Sequence, residues 1–79
     1  MTPSYLDIRA TEIWQQHRTN LRAMAIAYRL EAHSLLEQSW FLKDQGQHAD
    51  AAAAHSEFLY FIRMAKSVVR QAKEARHAA

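Results

Sequence analysis

An all-α fold, a long antiparallel helical hairpin that dimerises into a four-helix bundle, is predicted by three features of this chain. Its 79 residues contain one Gly, one Pro and no Cys, and the excess of Ala, Leu, Gln, Glu, Arg and Lys favours helix while leaving turn-rich β folds hard to build. Apolar residues recur at alternating steps of three and four, the signature of a buried helical stripe. Phe58-Leu59-Tyr60-Phe61-Ile62 sets five consecutive apolar residues on a helix. At roughly 100° per residue such a run encircles the axis. A helix in a simple hairpin hides only one stripe, so this run asks for more than one neighbour.

The elements follow in order within a single helical domain, residues 1–79: a helix over about 3–45, a turn over about 45–48 and a helix over about 49–77. Thr2-Pro3 reads as an N-cap with Pro at the first helical position, and Ser4 with Asp7 offers a competing capping box. The first stripe runs through Leu6, Ala10, Ile13, Trp14, Leu21, Met24, Ala25, Tyr28, Ala32, Leu35 and Leu42. Its weak point is Thr19-Asn20, where Asn20 can cap a new helix at Leu21. Gly46 suits the left-handed position that ends a helix. The second stripe is Ala51, His55, Phe58, Ile62, Ala65, Val69 and Ala72.

A turn at Gly46 pairs positions whose numbers sum to about 92, so Trp40 and Phe41 are expected to pack on Ala51 and Ala52. Residues 3–15 then overhang, and either fold back as a short third helix or dock on a second chain. The large residues Leu6, Ile13 and Trp14 favour the second chain. A chain this short buries only roughly 60–65% of its unfolded surface, and without disulfides oligomerisation is the natural staple. Phe58, Leu59, Phe61, Ile62, Tyr28, Leu35 and Trp40 are the expected core and dimer residues.

Net charge is +2 but unevenly spread: +2 over residues 1–30, −4 over 31–57 and +4 over 58–79. Arg63, Lys66, Arg70, Lys73 and His77 recur on one face of the second helix, and Arg18, Arg22 and Arg29 lie alongside. Such a patch contacts phosphates or an acidic protein surface, or is a solvated face that complements the helix dipole. Aromatic residues cluster toward the acidic end, so cations and stacking groups are not interleaved, which disfavours single-strand binding. His33, Glu37 and His55 could converge as ligands, but the Glu-x-x-His pairs of carboxylate-bridged bundles are missing and no metal or other cofactor is expected. There is no glycine elbow, phosphate loop or isolated carboxylate pair, so no catalytic residue is assigned and an enzyme is not expected.

Leu42 to Ala51, with Gly46 followed five residues later by Ala51, resembles the turn of a tetratricopeptide repeat. The likeness covers barely a dozen residues, no second copy follows, and the flanking helices are too long for membership. Length and layout resemble those of the plasmid copy-number regulator Rop, a dimer of helical hairpins that binds RNA. That likeness is architectural and implies a structured-RNA binder as the rival function. The leading expectation is a homodimeric, non-enzymatic regulator, inhibitor or adaptor that binds a larger protein through Arg18, Arg22, Arg63, Lys66, Arg70 and Lys73, with Trp14 as apolar anchor. A bacterial phage or mobile-element product that occludes a host factor would suit this design. The longest apolar run, Ala23 to Tyr28, is far too short to span a membrane. No stretch reads as a signal peptide, and a cytoplasmic protein is expected.

Overall fold

The computed structural model describes residues 4–78, and the side chains of residues 4–76. The Thr2-Pro3 cap and the His77 side chain lie outside them. Three helices occupy the described residues, α1 over Tyr5–His17, α2 over Leu21–Asp44 and α3 over His48–Ala78, with no strand among them. None is long and apolar enough to cross a membrane.

The expected continuous helix over 3–45 is interrupted at Arg18-Thr19-Asn20. Asn20 takes an extended conformation, and its side-chain oxygen accepts from the Ala23 amide at 3.1 Å, satisfying one of the orphan donors of a new helix. Its own amide donates back to the His17 carbonyl at 2.9 Å. At the start of α1 the Ser4 hydroxyl oxygen accepts from the Asp7 amide at 3.3 Å, and the hydroxyl lies 3.0 Å from the Asp7 carboxylate. Ser4 with Asp7 is therefore the cap of α1.

α2 ends in a Schellman motif. Gly46 sits at φ 78°, the Gly46 amide donates to the Lys43 carbonyl at 3.0 Å, and the Gln47 amide donates to the Leu42 carbonyl at 2.9 Å. Only glycine adopts this conformation without strain. α3 starts two residues later and packs along α2.

The break lets α1 return onto its own chain, which corrects the expectation that residues 3–15 dock on a second molecule. Ile13 is 1% exposed and Ala10 is buried with it. The Tyr28 hydroxyl donates to the Ala10 carbonyl at 3.2 Å, tying α2 to α1 inside the core. At the rim, Arg9 Nε lies 3.1 Å from a Glu31 carboxylate oxygen, and the Tyr5 hydroxyl donates to the other oxygen at 3.4 Å. Glu31 has a physical effect on both partners. Its charge holds the Tyr5 phenol above its ordinary pKa, and its hydrogen bond does the same for the Arg9 guanidinium.

The buried stripe of α3 is rotated from the expected one. Ala51, Ala54, Phe61, Ala65 and Val68 are buried, whereas Phe58, Ile62, Val69 and Ala72 are half-buried and His55 is exposed. The sequence pattern centred the stripe on α2 alone. The centre lies toward Phe61 and Val68, and Tyr60 and Met64 border a depression shared with α1. Phe61 stacks on Tyr28 at 6.2 Å and meets Tyr60 edge-on at 5.2 Å. The encircling run at 58–62 thus finds its neighbours inside one chain, except Leu59, which is 43% exposed. Tyr28, Leu35 and Phe61 are intrachain core.

Trp40 and Phe41 depart from expectation as well. They are 57% and 63% exposed, while Ser39 is buried and donates its hydroxyl proton to the Leu36 carbonyl at 2.7 Å. The buried stripe of α2 passes through Ala32, Leu35 and Ser39, so Trp40 lies roughly 100° beyond it on the helix. Its ring edges a depression at the turn end with Ala51 and Ala52 instead of burying against them.

Candidate binding surface

The molecule measures 51 × 28 × 16 Å, and a body this thin offers surfaces rather than an enclosed interior. One surface combines charge with shape. At the end of the molecule away from the Gly46 turn, α2 and α3 form a groove of about 380 Å³. Leu21, Ala25, Ile26, Val69 and Ala72 make its floor, and Arg22, Arg29, Lys73 and Arg76 line its edges. No carboxylate, histidine or hydroxyl group lines it. What it offers is an apolar strip with cations along it, suited to an anionic, partly apolar surface.

The floor exists because two periodicities meet. Leu21 and Ala25 lie one turn apart on α2, and Val69 and Ala72 lie three apart on α3. Small alanines on both helices leave the concavity. α1 packs elsewhere, over Tyr28, Tyr60 and Met64, and leaves the groove open.

Arg18, Arg22, Arg63, Lys66, Arg70 and Lys73 are all exposed, and none forms a salt bridge among the described residues. Arg22 and Lys73 reach the groove. Arg63, Lys66 and Arg70 continue from Lys73 along the outside of α3, where Arg63 Nε donates to the Leu59 carbonyl at 3.4 Å. Trp14 does not join them. It is 50% exposed and lies over a shallow depression with Tyr60 and Met64, on the face that α1 covers. Sequence reasoning missed Arg76 and the floor residue Ile26. The signal for Arg76 was its step of three from Lys73 and seven from Val69.

The histidine cluster does not assemble. His33 Nδ1 lies 3.6 Å from a Glu37 oxygen on the exposed side of α2. His55 instead meets the Phe58 ring at 5.5 Å beside Trp40. No three His, Asp or Glu side chains among the described residues converge on a point that could hold a metal ion.

No protein-family model matches this chain, and neither the curated proteins nor the solved structures contain a significant match to it.

Proposed function

We propose that this chain is a small non-enzymatic regulator, inhibitor or adaptor that acts by binding a larger protein, and that it works as a homodimer built on the antiparallel α2–α3 hairpin. The observation that carries this reading is the concentration of unneutralised cations at one end. Eight exposed Lys and Arg residues, Arg18, Arg22, Arg29, Arg63, Lys66, Arg70, Lys73 and Arg76, have no acidic partner within salt-bridge distance among the described residues, and four of them, Arg22, Arg29, Lys73 and Arg76, line an apolar-floored groove. Charges left without partners in the folded chain are available to steer and orient a protein with an acidic surface. The half-buried Leu21, Val69 and Ala72 on the groove floor supply apolar contact area that a purely solvated face would lack.

A nucleic-acid reading draws on the same cations. Against it, the large exposed rings Trp40 and Phe41 lie at the turn end, away from the cationic groove, so bases would find no stacking platform among the charges.

The test is affinity capture from a bacterial lysate with and without nuclease, using the wild type and a Lys66→Glu/Arg70→Glu/Lys73→Glu variant. These side chains are exposed, so helical circular dichroism should be unchanged. A partner retained after nuclease and lost with the variant is the expected result. Recovery that vanishes with nuclease, together with a mobility shift on looped RNA that weakens steeply between about 50 and 200 mM salt, would transfer the function to nucleic acid.

A further inference from the structure

We infer that the outer face of α2 is a self-association surface on which a second copy of this chain lies antiparallel, with the two-fold axis passing His33. The inference rests on the homodimer proposed above and assigns Arg22, Ile26 and Arg29, which border the cationic groove, to the contact between copies, leaving Lys73, Arg76 and the outer α3 cations to the larger protein.

The side of α2 turned away from the core exposes Ile26, Leu30, Trp40 and Phe41 at 48%, 66%, 57% and 63%. Ile26 with Leu30 and Trp40 with Phe41 form two exposed apolar pairs on one helix face, separated by His33 and Glu37, and exposed apolar surface of this kind marks an interaction surface. α1 and α3 pack on the stripe that carries Met24, Tyr28 and Leu35, and α3 reaches only the edges of Ile26 and Trp40.

Charge identifies the occupant. Arg22 and Arg29 stand at one end of this face, and Glu37 and Asp44 at the other. Laid antiparallel with position numbers summing to 66, Arg22 meets Asp44 of the second copy and Arg29 meets its Glu37. In the same register Ile26 falls opposite Trp40 of the second copy, and His33 meets its own equivalent. Two-fold symmetry repeats every one of these contacts, as an isologous interface requires. A parallel pairing would set Arg22 on Arg22 and Glu37 on Glu37. A slip of one turn would set Arg29 against Phe41 or His33. The antiparallel register at 66 is the one that pairs both arginines with carboxylates. Surface ion pairs contribute little each but select register, while the rings supply the buried area.

The chain has no Cys, so a single introduced thiol reports one contact. In His33→Cys the two thiols meet across the axis. Mild oxidation of this variant at micromolar protein should give a disulfide-linked species of twice 9.2 kDa, while Ser56→Cys on α3 should remain uncrosslinked. A rate no greater than that of Ser56→Cys, or a monomer in sedimentation of the wild type, overturns the proposal. A second measurement fixes the register. Arg22→Glu should weaken dimerisation about tenfold by placing two carboxylates together twice, and Asp44→Arg in the same chain should restore it. Failure of that rescue overturns the register. Capture of the larger protein by the Lys66→Glu/Arg70→Glu/Lys73→Glu variant is read separately, because those residues lie on α3.

Discussion

Ile13 decides whether α1 belongs to its own chain. It is 1% exposed and packs with Ala10, Met24, Tyr28 and Phe61 in one cluster. Truncating a buried Ile to Ala costs about 2–5 kcal/mol, because lost transfer energy and a residual cavity add, whereas Ile→Val costs about 0.5–1.5 kcal/mol. A chain of 79 residues has a total stability of about 4–12 kcal/mol. Ile13→Ala should therefore remove a large share of it, with Ile13→Val about a third as damaging. At about 4–8 °C per kcal/mol for a domain of this size, a loss of about 3 kcal/mol lowers Tm by about 12–24 °C.

The loss has a ceiling set by how tightly α1 docks. If docking is weaker than the penalty, α1 releases while α2 and α3 persist, and the global transition moves less. Hydrogen exchange separates the two regimes: release exposes the amides of residues 9–17 and leaves those of residues 61–68 protected. Thermal melts and hydrogen exchange at two protein concentrations form the assay. The penalty of Ile13→Ala relative to wild type should not change with concentration, since Ile13 contacts only its own chain. A penalty below about 1 kcal/mol with α1 protection intact, or one that varies with concentration, would refute the fold-back of α1.

Two further perturbations follow from single residues. Gly46→Ala meets no atom within 4 Å, so its cost is the left-handed backbone alone. About 1–2 kcal/mol of strain, offset by about 0.4–1 kcal/mol of reduced unfolded-state entropy, gives a net loss near 1 kcal/mol in urea denaturation. Asn at the same position should lose less, and a loss above about 3 kcal/mol for Ala would contradict the turn. Burial raises the Tyr28 phenol above its ordinary pKa of 10.0, so its contribution to stability is complete below pH 10 and is lost as pH rises through the higher folded value. Tyr28→Phe should cost about 0.5–1 kcal/mol at neutral pH through the lost bond to the Ala10 carbonyl. That deficit should shrink above pH 10, where only the wild type must ionise a buried phenol. A gap between the two urea midpoints that stays constant from pH 8 to 12 would contradict it.

The parts of this fold legible in the sequence are those fixed by a few adjacent residues. Gly46 ends α2 because a left-handed residue is needed there, and Ser4 with Asp7 caps α1 because both groups lie within one turn. The break at Asn20 was visible as a capping residue but not decidable. A cap contributes only about 1 kcal/mol, and the apolar stripe runs through Ile13, Trp14 and Leu21 without interruption. What decides the break is the docking of Ala10 and Ile13 against Tyr28, up to 18 residues away. No local pattern contains that contact. On α3, Phe61 and Val68 face inward while Ile62 and Val69 lie at the edge, and Tyr60 and Met64 border a depression shared with α1. Val69 thereby becomes floor for the cationic groove rather than core. On α2 the stripe through Ala32, Leu35 and Ser39 leaves Trp40 and Phe41 outside. Phe58, Tyr60, Phe61 and Ile62 of the run at 58–62, which the sequence pointed to as a dimer contact, pack into the core of one chain. On α2 an unsatisfied apolar surface is left at Ile26, Leu30, Trp40 and Phe41, and Arg22, Arg29, Glu37 and Asp44 give that surface a direction.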